Sequence, residues 1–183
     1  MADKFPELSH ELTTWINEQH VFFVGTAAAS GNVNVSPKGQ DSLKVLSPNE
    51  ILWLNLTGSG NESAAHLLDS NRMTLMWCAF TGPPRILRVY GTAATIHPRD
   101  AAWLDCTAHI PPPIGGRQYF KLHVDLVQTS CGYAVPNMEF VEDRKALTLW
   151  SNKRGEAGIE SYWAEKNQTS IDGLPTQILE APE

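Results

Sequence analysis

"MTLMWCAFTGPPRILRVYGTAATI", Met73 to Ile96, holds two apolar runs in close succession. The first, "MTLMWCAF", is almost unbroken in its hydrophobicity, which marks a central strand rather than an edge. The second, "RILRVYGTAATI", carries Arg85 and Arg88 an odd number of residues apart, so a strand puts them on opposite faces. A charge in the middle of an otherwise apolar strand must be paired or must bind something, so Arg88 is either a salt bridge at the core edge or a cationic site residue.

Upstream, "VFFVGTAAA" and "NVNVS" flank Ser30 and Gly31 and read as two strands of a tight hairpin. A further strand, "EILWLNL", follows the Ser47-Pro48-Asn49 turn. Downstream, "YFKLHVDLVQTS" alternates Phe120, Leu122, Val124 and Leu126 against Lys121, His123 and Asp125, as a strand with one buried face does. Helical spacing appears outside these runs. Phe5, Leu8, Leu12, Trp15 and Ile16 predict an amphipathic helix over about 3–19, and Ala64, Ala65, Leu67 and Leu68 a short one whose first turn holds Asn61, Glu62 and Ser63. His97 to about Ala108 predicts another, followed by the loop "IPPPIGG". A helical extension over about 138–183 contains segments Arg144 to Asn152 and Glu156 to Lys166, broken at Gly155, and ends in an irregular tail, "TSIDGLPTQILEAPE". About six strands without regular βαβ alternation, with helices at the periphery, define an α+β fold built on an antiparallel barrel. The 183 residues suffice for one substantial core and are taken as a single domain.

Composition narrows the function. Hydrophobic residues at 42% and charged residues at 19% are ordinary for a globular protein. A net charge of −6, with Lys and Arg scattered, argues against a general nucleic-acid binder. No apolar run approaches a membrane span and the start shows no signal peptide, so a cytoplasmic location is expected. Cys78, Cys106 and Cys131 lack metal or redox spacing, and the six histidines lack ligand spacing, so no metal site is predicted.

Two stretches have the chemistry of anion sites. "SPKG", Ser36 to Gly39, sets a hydroxyl, an ammonium and a glycine at a strand end, which phosphate recognition needs; by itself it also reads as a plain turn with Ser36 and Lys38 in solvent. "TGSGNESAAHLL", Thr57 to Leu68, leads a glycine-rich turn into a helix start, where N–H groups await partners or are capped by Asn61 or Ser63. It fits neither GxxxxGK[ST] nor GxGxxG. Trp53, Trp77, Trp103, Trp150 and Trp163 are packing residues or platforms for a planar ring.

The hairpin ending in "NVSPKG", then "GSGNESAAHLL", "MTLMWCAFTGPPRILRVYG", "SCGYAVP" and the outlying "SIDGLP" together resemble the pyridoxamine 5′-phosphate oxidase-like family of FMN-binding split barrels, from about Val21 to Pro136. The resemblance implies a homodimer with FMN in a cleft between subunits. It assigns Ser36, Lys38 and Gly39 to the flavin and its phosphate, adds Asn61, Ser63 and Arg88, places His66 and Arg85 in matching segments, and leaves Trp77 or the "CGYAVP" segment to be contributed by the partner subunit. It further implies an FMN-dependent oxidoreductase acting on a small molecule, with a non-catalytic flavin sensor or carrier, or a deazaflavin- or haem-binding relative, as alternatives. The arginine-rich C-terminal signature of the vitamin B6 oxidases is missing, since no arginine follows Arg154. Oxidation of that vitamin is therefore not expected.

Overall fold

The computed structural model describes residues 2–180. The two strands of the opening stretch are β6 (Arg72–Cys78) and β7 (Ile86–Ile96), paired antiparallel from Arg72↔Thr92 to Cys78↔Ile86. β7 pairs along its length with β8 (Gly116–Ser130), and β8 also pairs with β5 (Glu50–Leu56). On the other side β6 pairs with β2 (Phe22–Thr26), and β2 with β3 (Asn34–Lys38). With β4 (Leu43–Ser47) on β5, the order is β3-β2-β6-β7-β8-β5-β4, and a short β1 (Asp3–Phe5) joins β8 off this path. "MTLMWCAF" is thus an interior strand, as its continuous hydrophobicity requires.

The sheet is curled. β2 and β5 are four steps apart in strand order, roughly 19 Å in a flat sheet at the usual strand spacing. Yet the rings of Phe22 and Trp53 lie 6.1 Å apart, centroid to centroid. The inward residues Phe22, Val24, Leu75, Trp77, Leu87, Val89, Phe120 and Leu122 form one core, capped by Leu12 and Ile16 of α1 (His10–Asn17) and Ala64 of α2 (Glu62–Asp69). The barrel does not close: β3 and β4 each have one strand neighbour, and a seam remains between β3 and the β4–β5 side. The fold is an α+β open antiparallel barrel, with eight strands among the described residues.

Several expectations are corrected. Among the described residues there are eight strands where about six were expected, because β1 and β4 are short and weakly patterned. The N-terminal helix begins at His10, where the Ser9 side chain accepts the Leu12 N–H at 3.2 Å; Phe5 belongs to β1 and buried Leu8 precedes the helix. Ser9→Ala is expected to lower stability by about 1 kcal/mol, read from urea unfolding. The β2–β3 hairpin is joined by a seven-residue loop, 27–33, rather than a tight turn at Ser30 and Gly31. The clean alternation in β8 breaks after Val124, because a bulge lets Tyr90 face Leu126 while Gly91 faces Val124. Val127 is therefore buried in place of Leu126. Gly91 is required there, since a Cβ would collide with the His123 carbonyl oxygen.

α3 (Trp103–His109) starts later than the proline at 98 suggested, after two turns. The predicted break at Gly155 is present: α4 (Ala146–Lys166) is interrupted there by φ 65° and ψ 177°. Residues 181–183 of the predicted extension, and Met1, lie outside the described residues.

Candidate functional site

The seam opens into a cleft of about 550 Å³ between β3 on one side and β5, the start of β8 and the start of α2 on the other. Ser36, Lys38, Asn61, Ser63 and His66 all line it, and Gly39 lines a neighbouring cavity that shares Lys38, Trp53 and Asn55 with it. Two stretches far apart in sequence thus meet because the sheet curls. Their chemistry is set by what surrounds them.

The start of α2 is uncapped. Asn61 occupies the capping position and has the right chemistry, but its side chain makes no capping bond to the helix. It is turned instead toward Gln118, whose Nε2 donates to Asn61 Oδ1 at 2.6 Å. The first N–H groups of α2 are left facing a cleft-lining turn, with the positive end of the helix dipole behind them. Behind them lies a polar net: Thr26 Oγ1 is 3.2 Å from Ser63 Oγ and 3.1 Å from His66 Nδ1, and Asn34 Nδ2 donates to Ser63 Oγ at 3.3 Å.

Arg117, which the sequence reading did not single out, is the strongest charge in the site. It is 2% exposed, at the second residue of β8. Nη1 donates to the Gly60 carbonyl at 2.9 Å and to Asn167 Oδ1 at 2.8 Å. With the Asn55 carboxamide oxygen turned toward it, Nη2 donates there at 2.8 Å. All three acceptors are neutral. Among the described residues Arg117 takes part in no ion pair, and its Nε has no partner. Burial pulls its pKa down, with Tyr162 and Glu62 pulling it back up from a distance, and a guanidinium keeps its proton at neutral pH. A buried cation held only by neutral groups is costly without an anion.

Lys38 is the second cation. Its Nζ stands 5.5 Å from the centroid of the Trp53 ring, across the seam. Burial, and after it the field of Arg117, lower its pKa from 10.5 to about 8.

Unpartnered buried polar atoms also converge here. Five side-chain atoms are in that state among the described residues, and three of them, Trp53 Nε1, His66 Nε2 and Arg117 Nε, belong to residues lining the cleft. Two are obligate donors and the third can be one.

Three of the sequence candidates lie elsewhere. Trp77 is 1% exposed and inward-facing on β6, 6.0 Å from the Phe22 ring, so it is core. Arg85 precedes β7 and pairs with Glu11 at 3.0 Å above the Trp15 ring, fastening α1 to the sheet. Arg88 faces away from the core and donates to Ser130 Oγ at 3.3 Å. A charge in a buried strand costs more at Arg117 than at Arg88, because Arg117 sits among four successive buried residues, Arg117 to Phe120. Gly115 and Gly116 before it made the strand appear to begin later, at Tyr119.

An open antiparallel barrel with a cationic, donor-rich seam is the class that fold and site define. The family model described as pyridoxamine 5′-phosphate oxidase matches residues 8–131, more than half of the chain, and the protein belongs to that family. It is similar to the pyridoxamine 5′-phosphate oxidase family protein ustO of Aspergillus flavus, at 33% identity over 192 aligned positions covering 93% of this chain and 76% of the relative. Among solved structures it resembles a Lactobacillus delbrueckii protein provisionally called a pyridoxamine 5′-phosphate oxidase, with TM-score 0.52 and 21% identity over 67% of this chain and 94% of the other. It likewise resembles HupZ of Group A Streptococcus, with TM-score 0.52 and 17% identity over 65% and 91%. At these identities the two structures establish the fold.

Among the described residues no helix is long and apolar enough to cross a membrane, and no three His, Cys, Asp or Glu side chains are grouped as metal ligands.

Proposed function

We propose that this protein is an FMN-dependent oxidoreductase acting on a small molecule. The observation that carries the reading is the meeting of Lys38, the unpaired buried guanidinium of Arg117 and the uncapped start of α2 in one cleft. Two cations and free N–H groups suit a phosphate, and the unpartnered donors suit the carbonyl and nitrogen acceptors of a flavin ring. Lys38, Arg117 and the first amides of α2 would hold the phosphate, with Ser36 and Ser63 as further hydroxyl partners. Bound there, FMN would supply a ring able to accept a hydride or electrons one at a time, chemistry that requires no protein acid or base. The chain's own work is then to bind, orient and exclude water.

A second copy of the chain is part of this reading. β3 borders the cleft and is a sheet edge, with Val35 exposed at 66% and Val33, just before the strand, at 70%. Unpaired strand edges carrying apolar side chains are surfaces that another chain covers. A homodimer joined there would complete the cleft from the partner side. A cytoplasmic setting is proposed with it.

The test is the absorption spectrum of freshly purified protein, with the released chromophore identified by mass, repeated after adding FMN and with the assembly's mass read by light scattering. The expected result is a flavin spectrum, FMN on release, and reduction by a nicotinamide donor in a dimer. Bound FMN that no donor reduces would make the protein a carrier or sensor. A deazaflavin or haem spectrum would overturn FMN as the cofactor.

A further inference from the structure

The tail "NQTSIDGLPT", Asn167 to Thr176, lies outside the family-matched residues 8–131, yet it reaches the cleft twice. Asn167 is fully buried; its Oδ1 accepts from Arg117 at 2.8 Å and its Nδ2 donates to the Gly58 carbonyl at 3.1 Å. From there the chain folds back on itself. Thr169 bridges Pro175, the Ser170 N–H donates to the Leu174 carbonyl at 2.8 Å, and Thr176 returns to Asn167 through its hydroxyl at 2.6 Å. The tip of this small hairpin is the turn 170–173, with Gly173 at φ 78°.

The tip spans the mouth of the cleft and is fastened to both walls. On one wall the Ile171 N–H donates to both carboxylate oxygens of Glu62, at 3.0 and 3.2 Å, in the first turn of α2. On the other, the Asp172 carboxylate accepts the Asn32 N–H at 2.8 Å and Asn32 Nδ2 at 2.6 Å, in the β2–β3 loop. Gly31 beside it has φ 91°, and a Cβ there would come within 2.6 Å of Asp172 Oδ2. The loop is thus shaped to receive that carboxylate. Ile171 lines the cleft while 78% exposed, so it contributes nothing to the core.

Ser170 at the base of the turn is buried, whereas the bonds that fasten its tip, from Ile171 to Glu62 and from Asn32 to Asp172, are all exposed, and segments held in this way open without global unfolding. We propose that the 170–173 turn is a strap that opens and closes over the cleft and controls both entry and release of its ligand. The proposal rests on the cleft being the ligand site described above, and not on the ligand being a flavin. Asn167, by holding Arg117, links the root of the strap to the cation inside.

Gating and simple contact differ in kinetics. Loss of a contact to bound ligand raises the release rate alone, whereas loosening a gate raises entry and release together, so the dissociation constant changes less than the release rate does. Asp172→Ala removes both bonds to Asn32 from an exposed position. By stopped-flow flavin fluorescence, FMN release is expected to rise about fivefold or more and entry about twofold or more, with Asn32→Ala moving both in the same direction by less, since its backbone N–H remains. Melting temperatures check that each variant is folded, and Asn32→Ala carries the test should Asp172→Ala fail to fold. FMN binding with entry unchanged in the folded variants overturns the strap and leaves the flavin reading standing. If the wild-type protein takes up no FMN, the same comparison is made with inorganic pyrophosphate, followed by tryptophan fluorescence. Gating of pyrophosphate would then keep the strap and overturn the flavin. A cleft that takes neither overturns both.

Discussion

Arg117→Met is expected to lower FMN affinity by about 100- to 1000-fold, or ~3–4 kcal/mol, while lowering riboflavin affinity by about tenfold or less. The contrast isolates the phosphate, because the two ligands share their ring and differ in that group. The size follows from the environment of the guanidinium. It is buried, its three protein partners are neutral carbonyl and amide oxygens, and no carboxylate pairs with it among the described residues. Glu62 acts on it only from a distance, so a phosphate placed against it would be the first full countercharge in direct contact with that cation, in a setting where water screens little. In the ligand-free protein the same substitution has opposing consequences. It orphans acceptors on Gly60 and Asn167, yet it removes an uncompensated buried charge, and replacing such charges by apolar side chains of similar volume is often neutral. The melting temperature without ligand is therefore expected to shift by no more than about 5 °C, and the rise in melting temperature that FMN gives the wild-type protein should vanish. Isothermal titration with both ligands and thermal melts with and without FMN decide it. Equal losses for FMN and riboflavin would show that Arg117 serves the cleft's shape and not a phosphate.

The parts of this site that could be read from the sequence are those whose chemistry is local. "SPKG" and "GNESAAHLL" carry their functional groups within a few residues, so Ser36, Lys38, Asn61, Ser63 and His66 could be named from spacing, and the curl of the sheet brings them together. Long apolar runs likewise gave β6 and β7 without ambiguity, since burial on both faces leaves a continuous signal. What escaped is what depends on distant partners. Asn61 reads as a cap because capping is a local rule; that its side chain is drawn away by Gln118, on a strand more than fifty residues later, is a tertiary fact. Arg117 reads as an ordinary charge near a glycine pair, and only the burial of its four-residue neighbourhood makes it exceptional. Trp77 and Trp53 are indistinguishable by type and both are buried in the core; only Trp53, across the seam from Lys38, also lines the cleft. The bulge opposite Gly91 moved burial from Leu126 to Val127, a change of face that strict alternation cannot foresee. The short β1 and β4 owe their existence to pairing with β8 and β5 and not to their own sequences.

Above about pH 8, FMN affinity is expected to fall by as much as tenfold per pH unit, and Lys38→Met should abolish that dependence while weakening binding at neutral pH by about 1.5–3 kcal/mol. The ammonium is held between the Trp53 ring and the field of Arg117, and burial has already brought its pKa to about 8. An anion bound beside it restores the charged form, so binding takes up a proton wherever the free protein has lost one. The stability of the ligand-free protein should move the opposite way. Between about pH 8 and 10.5 the unfolded chain still holds the Lys38 proton while the folded chain has released it, so unfolding binds protons and stability from this group rises with pH. Below about pH 8 both states are protonated and the cost of burying the charge is present in full. Other lysines, tyrosines and cysteines titrate in the same range, so the quantity to measure is the difference between the wild-type and Lys38→Met curves, in FMN affinity and in urea midpoint. Opposite slopes in those two difference curves assign the titration to a cation that the fold strains and the ligand relieves. A Lys38→Met protein whose FMN affinity still falls above pH 8 would place the titrating group elsewhere and remove Lys38 from the phosphate site.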